Sequence, residues 1–248
     1  MSRPDLFGDR ADDYARVRPV YPEALFDHLE RLVERRERAW DCGAGSGQSS
    51  RTLARRFEGV LATDSSVRQL ARADASAGLH RVAAAAEAAP FRDRCMDLVT
   101  VSAAIHWFDR PRFYSEVRRV ARPGAILAVW SYYASLIEPA VDQLVIRFAN
   151  EVVGDFWPPG FEVNRQEYRD LDFPFERLPW PRLEAEGRMR LSDLYSYMRT
   201  WSASQAWAKS RGTDPVEIVR ADLARAWGDP GLERAVRWPL HGAIGRIG

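Results

Sequence analysis

The 248-residue sequence contains little of several residue types, and each shortage excludes a class of protein. Lysine occurs only at Lys209 and the formal net charge is +1, so no strong field for binding a polyanion is expected. The two cysteines, Cys42 and Cys95, are too few for a disulfide framework or a cysteine-based metal cluster. No apolar run is long enough to span a bilayer, and the N-terminus lacks the apolar segment of a signal peptide. We therefore expect a cytoplasmic protein with no metal site and with neither a nucleic acid nor a membrane as its partner.

The length fits one α/β domain over residues 1–248 rather than two full domains. Residues 1–21 resemble an arm, because tyrosine, arginine and proline cluster there. Pro22 suits the first position of a helix, and apolar residues recur with helical spacing after it. The arm either packs over the edge of a sheet or covers a bound ligand, and the sequence leaves both roles open.

The chain is organised around residues 40–48, which read Trp-Asp-Cys-Gly-Ala-Gly-Ser-Gly-Gln. An apolar strand end precedes this stretch, and a helical pattern begins near Gln48. Glycine recurs at positions 43, 45 and 47, where it permits positive φ and a close approach of the backbone to a ligand. A strand, a glycine loop and a helix N-terminus together form a nucleotide-sized niche at the carboxyl edge of a parallel sheet.

The acid at Asp41 indicates what kind of ligand this niche holds. The loop has neither the lysine of the phosphate-binding G-x-x-x-x-G-K pattern nor the dinucleotide G-x-G-x-x-G spacing. A carboxylate that opens the loop would repel a pyrophosphate and attract an ammonium group. Asp64 follows Gly47 by 17 residues, ends a second apparent strand and is placed to accept hydrogen bonds from two ribose hydroxyls. The alternative is that Asp64 caps the following helix, and the two roles are compatible.

Apolar patterns predict the remaining elements. Further strands are expected at 59–64, 79–84, 97–102, 126–133, 183–189 and 232–247, and helices at 49–57, 138–153, 192–209 and 215–227. The strand at 97–102 leads into Ala-Ile-His-Trp-Phe-Asp at 104–109. This run therefore comes off the sheet edge at which open α/β sheets carry their ligands.

Several motifs resemble those of one enzyme family. Asp-x-Gly-x-Gly-x-Gly at 41–47 resembles the first motif of the class I methyltransferases that use S-adenosylmethionine (SAM). The runs at 104–109 and 112–120 resemble the methyltransferase type 11 domain, and within it the trans-aconitate methyltransferase group. The arm at 14–22 and the tail at 226–240 fit the same group, whereas residues 135–185 match it least.

The resemblance implies a fold and a cofactor. The fold is α/β, with a Rossmann-like, seven-stranded mixed sheet whose last strand is antiparallel, helices on both faces and a small lid inserted at 135–210. The cofactor is SAM, with S-adenosylhomocysteine as its product. Many relatives carry an aspartate for the adenine amino group where this chain has Ala85, so adenine is expected to rely on the backbone at Ala86, on Glu87 and on apolar walls. The residues expected to bind the cofactor are Tyr14, Arg18, Asp41, Gly43, Ala44, Gly45, Gln48, Asp64, Ser65, Ala86, Glu87 and Ser102.

The same resemblance implies transfer of a methyl group to an O or N atom of a small-molecule acceptor, such as a small acid or a heteroaromatic metabolite. His106 is the candidate general base, because it lies at the catalytic sheet edge and histidine titrates near neutral pH. The alternative is a packed structural histidine. The residues expected to line the acceptor pocket are Trp107, Tyr132, Tyr133 and Trp201.

Other interpretations stay open at this point. The aromatic residues of the inserted segment either line a pocket or fill a small core. Arginines are candidates for holding an acidic or heteroaromatic acceptor: Arg16, Arg18, Arg147 and Arg199. The chain either methylates a small molecule, methylates RNA or protein, or binds SAM without catalysis. A monomer and a homodimer are both compatible with the sequence.

Overall fold

The computed structural model describes residues 18–73 and 77–248, which form two compact units. The sheet unit comprises Tyr21–Tyr133, Glu162–Leu183 and Leu240–Gly248. The second unit comprises residues 18–20 together with Ala134–Phe161 and Glu184–Pro239. The role of residues 135–210 as a lid stays a prediction. In these described ranges, no helix is both long and apolar enough to cross a membrane.

The strands give the predicted mixed sheet. They are β1 Arg38–Cys42, β2 Gly59–Asp64, β3 Leu79–Ala83, β4 Met96–Ser102, β5 Ala121–Tyr132, β6 Glu176–Leu178, β7 Leu183–Met189 and β8 Arg234–Arg246. Within the described residues, seven of them follow the order β3-β2-β1-β4-β5-β8-β6, and β7 pairs with β8 outside that order. β1 to β5 run parallel, whereas β8 is antiparallel to β5 and to β6. The predicted fold class, with an antiparallel last strand, is therefore confirmed.

One strand differs from its prediction. A strand forms at Leu183–Met189 as expected, but it is not the sixth strand along the chain, because Glu176–Leu178 precedes it and pairs with β8 in the sheet. A strand of three residues is too short for alternation of apolar and polar residues to be visible in the sequence.

The helices of the sheet unit are α1 Glu23–Leu32, α2 Gln48–Leu53, α3 Val67–Leu70, α4 Arg110–Val120 and α6 Glu162–Arg165. Those of the second unit are α5 Pro139–Arg147, α7 Leu191–Arg199, α8 Ser202–Arg211 and α9 Arg220–Trp227. Both α1 and α4 pack against β5. Trp130 of β5 packs edge-on against Phe26 of α1, while Val129 belongs to the cluster that contains Phe113 of α4. Because adjacent strand residues point to opposite faces, α1 and α4 cover opposite sides of β5. β1, β4 and β5 are buried along nearly their whole length, which explains their continuous apolar runs.

The helix expected over 192–209 is two helices, α7 and α8. Thr200 ends α7: its hydroxyl donates to the backbone carbonyl of Tyr197 at 2.6 Å, and Trp201 then adopts an extended backbone. Ser204 likewise donates to the carbonyl of Met198 at 2.7 Å. These side chains satisfy carbonyls at the end of α7 and let the chain turn.

Aromatic residues form the core of the second unit. The rings of Trp157 and Phe161 stack in parallel, with centroids 4.0 Å apart. Trp201 lies 5.7 Å from both Trp157 and Phe148. Of the two roles that the sequence left open for these residues, filling a small core is the one that these contacts display.

Candidate active site

The glycine loop lies where β1 ends at the carboxyl edge of the sheet. Gly43, Gly45 and Gly47 all have positive φ, at 69°, 56° and 80°. A Cβ on Gly43 would stand 2.7 Å from the Cβ of Ala104, so this glycine is required by the packing of the protein itself. A Cβ on Gly45 would meet no atom within 4 Å, so this position faces open space. The loop thus offers an uncovered backbone at Gly45, which fits a ligand that approaches closely.

Asp41 is buried directly beneath this loop. Its carboxylate accepts hydrogen bonds from the Ser50 hydroxyl and, at 2.9 Å, from the Thr100 hydroxyl. No arginine, lysine or histidine pairs with it within the described residues. Burial raises the pKa of Asp41 to about 6, the two hydroxyls lower it, and the nearby Asp64 carboxylate raises it further. A buried carboxylate that is held by two hydroxyls and a backbone N–H, with no basic partner among the described residues, is one that a positively charged ligand would stabilise.

Asp64 ends β2 and braces the same loop. One carboxylate oxygen accepts from the backbone N–H of Gly45 at 2.9 Å, and the other accepts from the N–H of Ser66 at 2.8 Å. The helix that follows is capped by Ser66, whose hydroxyl accepts from the N–H of Gln69. Helix capping, the alternative role for Asp64, therefore belongs to Ser66. The carboxylate of Asp64 is half-buried and stands beside the open backbone of Gly45.

The predicted adenine region lies after β3. Ala86 is buried, and Glu87 accepts a hydrogen bond from the N–H of Asp109 at 2.7 Å. Because Asp109 is the N-cap of α4, Glu87 fixes the position of this helix relative to the loop after β3. Ser65 is exposed and Gln48, the first residue of α2, is half-buried.

The backbone after β4 is strained at the predicted catalytic edge. Ala103, directly after Ser102, has a φ of 49°, and its N–H donates to the carbonyl of Trp130 at 2.8 Å. This turn leads into a short 3-10 helix, Ile105–Trp107, which carries His106. The rings of His106 and Trp107 lie 5.2 Å apart. Positive φ in a non-glycine residue is costly and clusters at functional sites, which suits the expected position of the catalytic group.

The end of β5 carries a second group of polar side chains. Tyr132 is buried, and its ring lies 6.5 Å from that of Tyr21, while Tyr133 is half-buried. Asn164 of α6 donates to the carbonyl of Tyr132 at 3.3 Å, and its Oδ1 lies 3.0 Å from Nε2 of His241. α6 also packs against the 3-10 helix that holds His106.

Sequence reasoning missed four of these side chains: Ser50, Thr100, Asn164 and His241. Thr100 leaves a signal, because a polar residue inside a continuously buried strand must find a partner. Ser50 follows the glycine loop within the first turns of α2 and is fully buried, which a sequence cannot show. Asn164 and His241 lie 77 residues apart and leave no local pattern.

The arginines of the second unit that are predicted to bind ligands make hydrogen bonds, ring contacts or ion pairs within that unit. Arg18 donates to the carbonyl of Thr200 at 3.3 Å and lies 5.3 Å from the ring centroid of Tyr197. Arg147 pairs with an aspartate at 3.9 Å, and Arg199 pairs with two acids at 2.5 and 3.0 Å. The acids in these pairs are Asp222, Asp214 and Glu217. Arg147 and Arg199 are thus engaged in ion pairs, which weakens the case that they hold an acidic acceptor.

Two other predicted residues, Tyr14 and Arg16, lie outside the described residues. Their proposed roles, in the cofactor and acceptor sites respectively, stay predictions.

A cleft at the amino edge of the sheet contains several charged residues, but they serve the fold. Asp97 accepts from the N–H groups of Glu37 and Arg38 at 3.0 and 2.9 Å. Arg122 pairs with Asp97 at 2.5 Å and with Glu37 at 2.7 Å. These bonds tie the starts of β1, β4 and β5 together, at the edge opposite to the glycine loop.

Comparison with known proteins identifies the family of this chain. Residues 40–129 match a family described as a methyltransferase domain. A methyltransferase from Dictyostelium discoideum is 30% identical over 227 residues, which cover 90% of this chain and 86% of that protein. The chain belongs to the methyltransferase domain family.

Solved structures agree with this membership. The structure of a type II methyltransferase from Anaeromyxobacter dehalogenans is 39% identical and superimposes with a TM-score of 0.83, covering 93% of this chain and 98% of that one. The methyltransferase also shares its fold with the [4+2]-cyclase SpnF, at a TM-score of 0.52 and 18% identity over 98% of this chain and 95% of that one. Family membership makes the protein a SAM-dependent methyltransferase, and the cyclase shows that the fold alone does not fix the reaction.

Proposed function

We propose that this methyltransferase moves a methyl group from SAM to an O or N atom of a small-molecule acceptor. The observation that carries the proposal is Asp41, a fully buried carboxylate under the glycine loop with two hydroxyl donors and no basic partner among the described residues. Such a carboxylate favours a ligand that brings its own positive charge and disfavours a phosphate. SAM has an ammonium and a sulfonium group and carries no phosphate.

The cofactor is proposed to lie along the carboxyl edge of β1 and β2. The open backbone at Gly45 would accept close contact, which a side chain at that position would block. Asp64 accepts hydrogen bonds from two backbone N–H groups, which hold its carboxylate at the end of β2 beside Gly45. This carboxylate is proposed to accept from the two ribose hydroxyls as well. The other proposed cofactor residues are Tyr14, Arg18, Gly43, Ala44, Gln48, Ser65, Ala86, Glu87 and Ser102.

Methyl transfer from SAM requires the two reactants to be oriented more than it requires the acceptor to be activated. SAM supplies, when bound, an electrophilic methyl group for in-line displacement. The residues of the chain hold the acceptor atom in line, and such positioning alone is worth roughly 7–11 kcal/mol of the barrier. His106 is proposed to take a proton from an acceptor that carries one, whereas a carboxylate acceptor needs no base. Trp107, beside His106, is proposed to face positive charge through its ring.

The acceptor is proposed to be a small organic acid or a heteroaromatic metabolite. The motifs at 104–109 and 112–120 favour the trans-aconitate methyltransferase group, whose name indicates a small organic acid. The near-neutral formal charge of +1 argues against an RNA acceptor. Tyr132, Tyr133 and Trp201 are proposed to line the acceptor pocket, and residues 1–21 with 135–210 to close it. Deleting residues 1–18 should then lower turnover far more than thermal stability.

One two-stage experiment tests the proposed function. Calorimetry first measures binding of SAM by the wild type and by two variants. Asp41→Asn tests the proposed cofactor site, and His80→Phe, at an exposed position, is the control. A transfer screen then offers small acids, phenols, heteroaromatic amines and total RNA, each with labelled SAM. Wild-type binding with transfer to a small molecule supports the proposal. Transfer to RNA alone, or binding with no transfer to any acceptor, would overturn it in favour of an RNA methyltransferase or a non-catalytic SAM-binding protein.

A further inference from the structure

The group at the end of β5 contains a histidine whose hydrogen-bonding state is fixed by its neighbours. Asn164 is buried, and its amide nitrogen donates to the carbonyl of Tyr132 at 3.3 Å. With the amide turned the other way, two carbonyl oxygens would face each other, so Oδ1 must be the atom that faces His241. Because Oδ1 only accepts, the proton of His241 resides on Nε2, 3.0 Å away.

This assignment leaves Nδ1 of His241 as a lone-pair acceptor. Nδ1 makes no hydrogen bond to any of the described residues, and the side chain remains half-buried rather than enclosed. The ring is held edge-on by Tyr168, with centroids 4.9 Å apart. Burial lowers the pKa of His241 to about 4, so roughly one ring in a thousand is doubly protonated near pH 7. The ring therefore offers a neutral acceptor in a fixed direction.

The position of this acceptor is the catalytic edge of the sheet. His241 pairs in register with Ser131, one residue before β5 ends at Tyr132. Directly opposite residues of an antiparallel pair point to the same face, so His241 and Ser131 share a face. α6, which carries Asn164, packs against the 3-10 helix of His106. His106 thus follows the end of β4, and His241 lies opposite the end of the next strand, β5, although the two histidines are 135 residues apart in the sequence.

We propose that Asn164 and His241 form a neutral, hydrogen-bond-accepting subsite that selects acceptor molecules with an O–H or N–H donor over acceptors whose only polar group is a carboxylate. The inference rests on the proposed function, and among the small acids and heteroaromatic metabolites proposed as acceptors it selects those that carry a neutral O–H or N–H donor. A lone pair at Nδ1 accepts a hydrogen bond from a phenol or a heteroaromatic N–H. A carboxylate has only lone pairs to present, so it meets repulsion there. Asn164 acts through His241 and is a positioning residue.

Nitrogen NMR of the full-length wild-type protein tests the subsite without turnover. The chain has four histidines, and single substitutions assign their ring signals. The protein is labelled with nitrogen-15, saturated with S-adenosylhomocysteine and titrated with para-nitrophenol and benzimidazole as donor probes. Para-nitroanisole, N-methylbenzimidazole and para-nitrobenzoate are the matched probes without a neutral donor.

The expected result is an unprotonated Nδ1 signal in the free protein that moves with a donor probe and stays in place with the matched ones. A proton on Nδ1, or an Nδ1 signal that no donor probe moves, would overturn the inference. Absence of SAM binding by calorimetry would instead overturn the proposed function on which it rests. The two failures are therefore distinguishable.

Substitutions give a second, independent readout. His241→Phe keeps a ring but removes the acceptor, and it should weaken binding of the donor probe that moved the Nδ1 signal by about fivefold, while SAM affinity changes less than about twofold. Asn164→Leu frees the ring to change tautomer, so Nδ1 should become partly protonated in the same spectra. His80→Phe, at an exposed position of β3, is the matched control and should change neither quantity. Equal donor-probe binding by His241→Phe and the wild type would contradict the subsite.

Discussion

Replacing Asp41 by asparagine is expected to stabilise the ligand-free methyltransferase while weakening its binding of SAM. Burial raises the pKa of Asp41 from 3.8 to about 6, so the folded protein holds this proton more tightly than the unfolded chain does. The resulting stabilisation is complete below pH 3.8 and is lost as the pH rises through about 6. A difference of about 2 pKa units corresponds to about 3 kcal/mol in the free energy of unfolding.

Asparagine has nearly the shape of aspartic acid but never ionises. Its neighbours are the hydroxyls of Ser50 and Thr100, each of which can donate or accept a hydrogen bond. Well above the pKa of about 6, the variant should therefore exceed the wild type in free energy of unfolding by about 1–3 kcal/mol. The difference should shrink toward zero as the pH falls to 3.8, where wild-type Asp41 is also largely neutral.

Binding of SAM should respond in the opposite direction. A cation near Asp41 favours its ionised form, so binding and loss of the proton are linked. Since the pKa of the free site is about 6, wild-type affinity should fall about tenfold between pH 7 and pH 5. Asp41→Asn should bind SAM more weakly at pH 7 and should lack this slope.

Urea unfolding at a series of pH values measures the stability, and calorimetry measures the affinity. Asp97→Asn is the matched control, because Asp97 is also buried but pairs with Arg122 at 2.5 Å. Removing that charge leaves Arg122 with only one of its two acidic partners, Glu37, so this variant should lose stability at neutral pH, the opposite sign. The reasoning is refuted if Asp41→Asn is less stable than the wild type at about pH 8 with an unchanged urea dependence, or if wild-type SAM affinity is flat between pH 5 and pH 7.

Three further predictions concern single residues. Both glycine variants would place an alanine at positive φ, which costs roughly 1–2 kcal/mol. Gly45→Ala should weaken SAM binding with about that loss of stability, whereas Gly43→Ala should lower the melting temperature further, because its Cβ would also stand 2.7 Å from that of Ala104; equal melting curves for the two variants would contradict this. Asp64→Asn should weaken SAM binding at least about tenfold by calorimetry, since each hydrogen bond to a charged group is worth roughly 1.5–3 kcal/mol, and a change below about twofold with lower stability would limit Asp64 to bracing the loop. His106→Gln should lower kcat for hydroxyl or amine acceptors about a hundredfold or more and leave SAM affinity unchanged, so an unaltered kcat in steady-state kinetics would remove it as the base.

Local patterns in the sequence were sufficient for the elements that bear the cofactor loop. Three glycines at alternate positions after a buried strand predicted a loop, and all three have positive φ. The strands at 59–64 and 183–189 were predicted with their observed bounds, because their burial follows from apolar patterns within each segment. Asp64 was placed at the end of β2 by its distance from that loop.

The position of a helix break and the packing of the residue after it depend on hydrogen-bonding and ring partners that local sequence patterns do not reveal. The expected helix over 192–209 shows no proline or glycine, yet Thr200 ends α7 through a side-chain hydrogen bond to the backbone of Tyr197. The ring of Trp201, the next residue, packs against Phe148 and Trp157 in the aromatic core of the second unit, and its role in the acceptor pocket stays a prediction. The partners of a tryptophan come from other parts of the chain, so periodicity does not reveal them.

The sequence by itself determined the fold class, the glycine loop and the presence of an acid at each of two strand ends, because each follows from residues close together in the chain. Only the tertiary structure decided how those acids are held. The state of Asp41 depends on Thr100, 59 residues away, and that of His241 on Asn164, 77 residues away. The protonation of a buried group is set by the donors and acceptors that folding brings against it, and the order of residues in a chain does not state which ones those are.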